Sequence, residues 1–101
     1  MVIKVALHGR LRDLTNKDEI IFDEDKVTLR ELILQIMKLL GNKSHELGLN
    51  KPEDILSPRV RIIIMINGIS IKLIGNLEET VTSTDITSMD HIDVLEGIGG
   101  G

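Results

Sequence analysis

Four groups of residues in this chain carry atoms that could do chemistry. They are the closing "GIGGG", the histidines His8, His45 and His91, the acidic runs Asp23-Glu24-Asp25 and Glu78-Glu79, and the Asp90-His91-Asp93 cluster. The histidines lack paired metal-ligand spacing. Even if the first and last strands were neighbours and brought His8 and His91 to one face, they would fall short of a zinc ligand set. The acidic runs fall in predicted turns, with no pocket or nucleophile to serve as an acid–base pair, and read as solvated turns. Asp93 and His91 share a strand face at period two, yet no motif ties a serine or cysteine nucleophile to them. The chain has no cysteine, which removes disulfides, thiolate metal sites, iron–sulfur clusters and a thiol nucleophile.

The glycine-rich end is left. It is not a phosphate-binding loop, because the lysine–serine pair and a following helix are both missing. A terminal carboxyl group has a pKa of about 3.3–3.7, so Gly101 is ionised and a poor electrophile until something activates it. Glycine suits such a substrate because, with no Cβ, it enters a narrow channel and accepts unusual backbone angles. The six residues after Leu95 extend roughly 20 Å, enough to leave a globular body and reach into another protein. Ordering them costs about 1–2 kcal/mol per residue, so a docking surface on the body must offset that cost. Many domains simply end in idle glycines, and the elements that carry this end must decide between the two readings.

With 101 residues, 42% of them hydrophobic, the chain is one domain with one core. We expect a body over residues 1–96 and a flexible tail over 97–101. Phe22 is the sole aromatic residue, so the core is aliphatic, and the composition is unfavourable for a nucleic-acid binder that stacks bases. A net charge of −4 argues further against a nucleic-acid partner. The longest apolar run, Ile62 to Ile66, is too short for a membrane span. "MVIKVALHGR" lacks the pattern of a secretory leader, and a cytoplasmic location is the expectation.

"VIKVALH" alternates, with Ile3, Val5 and Leu7 on one side, and predicts a half-buried strand. "GRLRDLTNKD" reads as a polar connection, and "EIIFD" as a second strand paired with the first. "VTLRELILQIMKLLGN" is the main helix. Thr28 and Glu31 form a capping box, Leu29, Leu32, Ile33, Ile36 and Leu40 make one apolar stripe, and Gly41 stops it. The stretch from Asn42 to Pro58 is irregular, with a helical turn possible at "PEDIL". "RVRIIIMING" is apolar on both faces, as an interior strand would be. Val60, Ile62, Ile64 and Ile66 face one way, Ile63 and Met65 the other. Asn67-Gly68 makes a hairpin turn into a short return strand, "ISIKL". "HIDVL" is the last strand, with Ile92 and Val94 inward. The order predicts an α+β domain: a mixed sheet of about five strands with one main helix across one face.

The residues also carry a family likeness. "IKVALHGRLRDLTNKDEI" resembles the opening strand and turn of the small ubiquitin-like β-grasp sulfur carriers: the small subunit of molybdopterin synthase, the thiamine sulfur carrier and the related archaeal and eukaryotic modifiers. "VTLRELILQI" resembles their helix start, "IIMINGISIKLIGNLEETVTSTDITSMDHIDVL" their closing run, and Gly100-Gly101 their terminal diglycine. The likeness runs through nearly the whole length. Two departures concern the molybdopterin branch: Leu95-Glu96-Gly97-Ile98-Gly99 replaces its aromatic and proline residues, and His8 stands where an aromatic interface residue is common.

The resemblance implies a carrier, not a catalyst, with the β-grasp fold. A ubiquitin-activating-type enzyme would adenylate Gly101 with ATP, and sulfur delivery would leave a thiocarboxylate. Gly100 and Gly99 would be the side-chain-free approach and Ile98 an anchor. No cofactor would be bound by the chain itself. A large molybdopterin synthase subunit is the implied partner, and Ile63 and Met65, on the exposed sheet face, are candidate docking residues. The same residues fit a modifier attached to lysine, or a carrier in tRNA thiolation, through Gly101. A plain interaction domain with an idle tail is the third reading.

Overall fold

The first strand, β1 (Ile3–Leu7), buries alternate residues, so one of its faces belongs to the core. The structure, a computed structural model, describes residues 3–82 and 92–97. Beside β1 lies β2 (Glu19–Phe22), antiparallel, with Val5 opposite Ile20. The link between them is not the irregular polar connection expected from its composition. It contains a helix, α1 (Gly9–Thr15). Leu11 and Leu14 sit three apart, and Leu11 is 1% exposed, so the turn of helix plugs one end of the core. Asn16, in the left-handed region at φ 56°, donates its N–H to the Arg12 carbonyl and stops the helix.

A short strand, β3 (Lys26–Thr28), runs directly into α2 (Leu29–Leu40). Of the expected capping box, the Thr28 half forms: Thr28 Oγ1 accepts a hydrogen bond from the Glu31 N–H at 3.1 Å. The five stripe residues Leu29, Leu32, Ile33, Ile36 and Leu40 are all buried. Gly41 ends α2 at φ 57° and opens α3 (Asn42–Glu46), a helix inside the segment expected to be irregular. "PEDIL" forms a 3-10 turn, Pro52–Leu56. Arg30 on α2 reaches Glu53 of that turn at 2.8 Å and Glu78 at 2.7 Å. Its hydrogen bond holds the Glu53 carboxyl below the usual carboxylate range, and the two carboxylates raise the guanidinium in return.

The apolar run forms β4 (Ile62–Ile66), and Asn67-Gly68, both at positive φ, turn the chain into β5 (Ile69–Ser70). The return strand is shorter than expected. Ser70 Oγ accepts from the Lys72 N–H at 3.2 Å and caps a one-turn helix, α4 (Ile71–Ile74), ended by Gly75. After β6 (Thr80–Thr82), which pairs with β3, the last described strand is β7 (Ile92–Glu96).

The five-stranded sheet has the order β2-β1-β7-β4-β5. β7 runs parallel to β1 and antiparallel to β4. The strand nearest the C-terminus therefore occupies the middle of the sheet. One sheet face joins the α2 stripe in a single aliphatic core that includes Val5, Ile62, Ile64, Ile92 and Val94. At about 1.5–3 kcal/mol for each fully buried branched side chain, this burial dominates stability. Among the described residues no helix is long and apolar enough to cross a membrane.

One polar clamp fixes the approach to β4. The Lys72 Nζ donates to the carbonyls of Ile55, Ser57 and Val60, at 2.5, 2.7 and 3.2 Å. Desolvation pushes this ammonium below the usual lysine value, while the three acceptors reward its charge. Lys72→Met keeps the stem and removes the donors. Urea denaturation should show a loss of about 1–3 kcal/mol with an unchanged m-value; an unchanged midpoint would mean that the clamp holds nothing.

Candidate functional site

The end of β7 and Gly97, the last described residue, are defined by their neighbours. The Gly97 N–H donates to the Arg61 carbonyl at 2.5 Å, which extends the β4–β7 ladder by one step. A Cβ at position 97 would lie 2.8 Å from Ile63 Cδ1 and 3.3 Å from the Arg61 oxygen. A side chain at position 97 would therefore require the Ile63 Cδ1 end to swing aside and the Arg61 carbonyl to give by a few tenths of an ångström. Beside it, Arg10 at the start of α1 donates to Glu96 at 3.1 Å. On the other edge of β7, the His8 N–H donates to the Val94 carbonyl at 3.0 Å.

The outward face of the sheet starts at this same point. Ile63 stands opposite Leu95, and Met65 opposite Asp93, which in turn stands opposite Ala6. Ile63, Met65, Leu95 and Ala6 are all half-buried, flanked by their own strands, while their inward neighbours Ile62 and Ile64 are fully buried. Together these four residues form an apolar strip on that face. Within it, Asp93 Oδ1 meets His8 Nε2 at 2.8 Å. His8 pairs with Asp93; His91, considered above as its companion, lies outside the described residues. Among the described residues, no group of three His, Asp or Glu side chains gathers as a metal site would require.

Of the residues singled out from the sequence, Ile63 and Met65 do share the outward face of β4. Ile98, Gly99, Gly100 and Gly101 lie outside the described residues. Sequence reasoning missed the role of Gly97. Its signal was faint: one glycine next to a glycine-rich run, distinguished only by following a strand that pairs with Arg61. The row Arg59, Arg61, Ile63, Met65, exposed or half-exposed at every second residue, was legible as alternation but was not read as a rim to the strip.

Gly97→Ala should destabilise the fold by about 1–3 kcal/mol through crowding of Ile63. The loss should shrink when combined with Ile63→Ala, which vacates the space. Simple additivity of the two changes in thermal unfolding would show that the close approach does not constrain the tail root.

No protein-family model and no curated protein sequence matches the chain. Solved structures do. A protein from Pyrococcus furiosus described as molybdopterin converting factor, subunit 1, is similar over 97% of this chain and 99% of its own, at 22% identity and a TM-score of 0.60. The small archaeal modifier protein 1 of Methanosarcina acetivorans is similar over 99% and 96%, at 20% identity and a TM-score of 0.61. The Urm1 protein of Sulfolobus solfataricus is 28% identical over 92% and 97%, with a TM-score of 0.51. The chain has the β-grasp, ubiquitin-like fold of these proteins, as its α+β element order and mixed sheet predict. The resemblance read from the sequence points to the same group of small β-grasp proteins.

Proposed function

We propose that the protein is a carrier whose Gly101 carboxylate is the acyl donor, energised by another enzyme, and that its first use is sulfur transfer. The observation that carries this reading is the likeness of fold over nearly the full length of both chains to a molybdopterin converting factor subunit and to small modifiers. Two features of the fold support it. The strand before the tail is locked in the middle of the sheet, and its end lies beside a half-buried apolar strip.

In the proposed first step, a Gly101 carboxylate oxygen attacks the α-phosphorus of ATP in the active site of an adenylating enzyme. Pyrophosphate leaves, and a mixed anhydride with AMP forms. A hydrosulfide-type sulfur nucleophile then adds to the carbonyl carbon and displaces AMP, which leaves a thiocarboxylate. The thiocarboxylate sulfur next attacks a carbon of an acceptor, a pterin precursor held by a larger synthase subunit, and displaces a leaving group that departs with its bonding electron pair; water then cleaves the resulting thioester, which frees the thiolated acceptor and restores the Gly101 carboxylate. The body contributes no acid, base or nucleophile. Gly99 and Gly100 give the reacting carbonyl passage through a narrow channel, Ile98 anchors the approach, and Ile63 and Met65 dock the body. Apolar burial there offsets the entropy of ordering the tail.

A second reading has specific support in the Urm1 and small-modifier likenesses. The same acyl adenylate, attacked by a lysine amine of a target protein, would give an isopeptide bond; attached to a tRNA-thiolating enzyme system, the thiocarboxylate would supply its sulfur.

Mass spectrometry of the protein from its native cell distinguishes the two. Sulfur transfer predicts a fraction with one terminal oxygen replaced by sulfur. Modification predicts target lysines carrying the glycine remnant. Deletion of Gly100 and Gly101 should abolish both while leaving thermal unfolding unchanged; retention of every cellular function by that deletion contradicts the proposal. Ile63→Asp with Met65→Asp should lower activation at least about tenfold without unfolding the body.

A further inference from the structure

An open cleft of about 280 Å³ lies at the root of the tail, lined by Arg10, Glu46, Leu47, Arg59, Arg61 and Glu96. Its charges are not balanced. Glu96 is held by Arg10 at 3.1 Å, and Glu46 by Lys43 at 3.6 Å. Both carboxylates are thereby neutralised by other cations. Arg59 and Arg61 are exposed, and among the described residues their guanidinium groups meet no carboxylate. Two exposed cations thus stand at one spot on a chain whose net charge is −4.

Their placement continues the outward face. Arg59, Arg61, Ile63 and Met65 point outward in alternation with buried Val60, Ile62 and Ile64. The Arg61 carbonyl itself holds Gly97. The Lys72 clamp fixes the segment that carries Arg59, since it binds Ser57 and Val60 on either side. The two arginines therefore border the apolar strip at the end of β7.

We propose that Arg59 and Arg61 form a cationic rim that docks on an acidic protein surface: carboxylates surrounding the channel of the protein that receives the tail. The proposal rests on the reading of the tail as an inserted substrate and names the chemistry of its receiver. A protein surface fits better than a free nucleotide because the rim is continuous with an apolar strip. An apolar centre with a polar border is the anatomy of a protein interface, and planar guanidinium forks suit carboxylates. The overall negative charge opposes a large polyanion, so attraction is local and screened by salt.

The first arm of the test needs no enzyme. A hexaglutamate peptide is titrated into isotope-labelled protein at about 20 mM and about 300 mM salt. Shifts are expected at the Arg59 and Arg61 side chains and the Gly97 amide. Arg59→Glu with Arg61→Glu should weaken binding at least about tenfold, and Lys17→Glu with Lys26→Glu, remote from the cleft, should not. Shifts spread evenly over all basic residues, or tighter binding of inorganic pyrophosphate than of the peptide, would overturn the proposal. The second arm measures adenylation by the activating enzyme of the source cell. The arginine double variant should raise KM about tenfold at unchanged kcat, and the wild-type advantage should fade with salt. If the wild type is activated and the variant keeps its KM, the rim is refuted and the tail reading stands. If the wild type is never activated yet the peptide binds at the rim, the tail reading fails and the cationic site stands.

Discussion

The hydrogen-bonded ladders on both edges of β7 are the constraint on which the rest depends. A strand in the middle of a sheet must pair every backbone donor and acceptor on both sides. Here β1 pairs with it in parallel and β4 in antiparallel. The parallel pair is possible because the two strands lie far apart in sequence, with α2 and its stripe packed between them in chain order. The last described strand therefore lies in the middle of the sheet, not at an edge. Gly97, the next residue, is tied to the Arg61 carbonyl.

From that constraint the character of the site follows. Aliphatic burial beneath the sheet supplies most of the folding energy, through Ile62, Ile64, Ile92 and Val94 on the inner face. The exposed ion pair of Arg10 with Glu96 adds at most about 1 kcal/mol. Such charges are spent on where the surface attracts and repels more than on stability. The outer face is the reverse case. Ile63, Met65 and Leu95 are apolar and only half-buried. Asp93, paired to His8 at 2.8 Å, keeps one polar group within the strip.

Much of this was legible in the chain because period and burial agree. The alternation of Ile3, Val5 and Leu7, the Thr28 cap with its helical stripe, and the Asn67-Gly68 turn each specify a local structure that the tertiary fold keeps. The errors have a common cause. α1, α3 and α4 are short; the few apolar residues of α1 and α4, such as Leu11 and Ile71, become informative only once a core exists to receive them, and α3 has none. Likewise β3 and β6 are three residues each and are defined by pairing with each other. The candidate docking residues Ile63 and Met65 could be read from period two alone. The tail root could not, because the closeness of Gly97 to Ile63 depends on a register between strands about thirty residues apart. The charge balance of the cleft was hidden for a similar reason: Arg10, Glu46, Arg59 and Glu96 come from four separate elements or segments.

The claim at the centre of this account is that a locked fold presents a terminal acyl group for activation. The most direct measurement is chemical trapping. The protein is incubated with ATP and the adenylating enzyme of its source cell, and the reaction is quenched with hydroxylamine, which converts an acyl adenylate to a hydroxamate. The account predicts a hydroxamate at Gly101 and nowhere else in the chain. Its absence, in an assay where an established carrier and its own enzyme give the product, would contradict it.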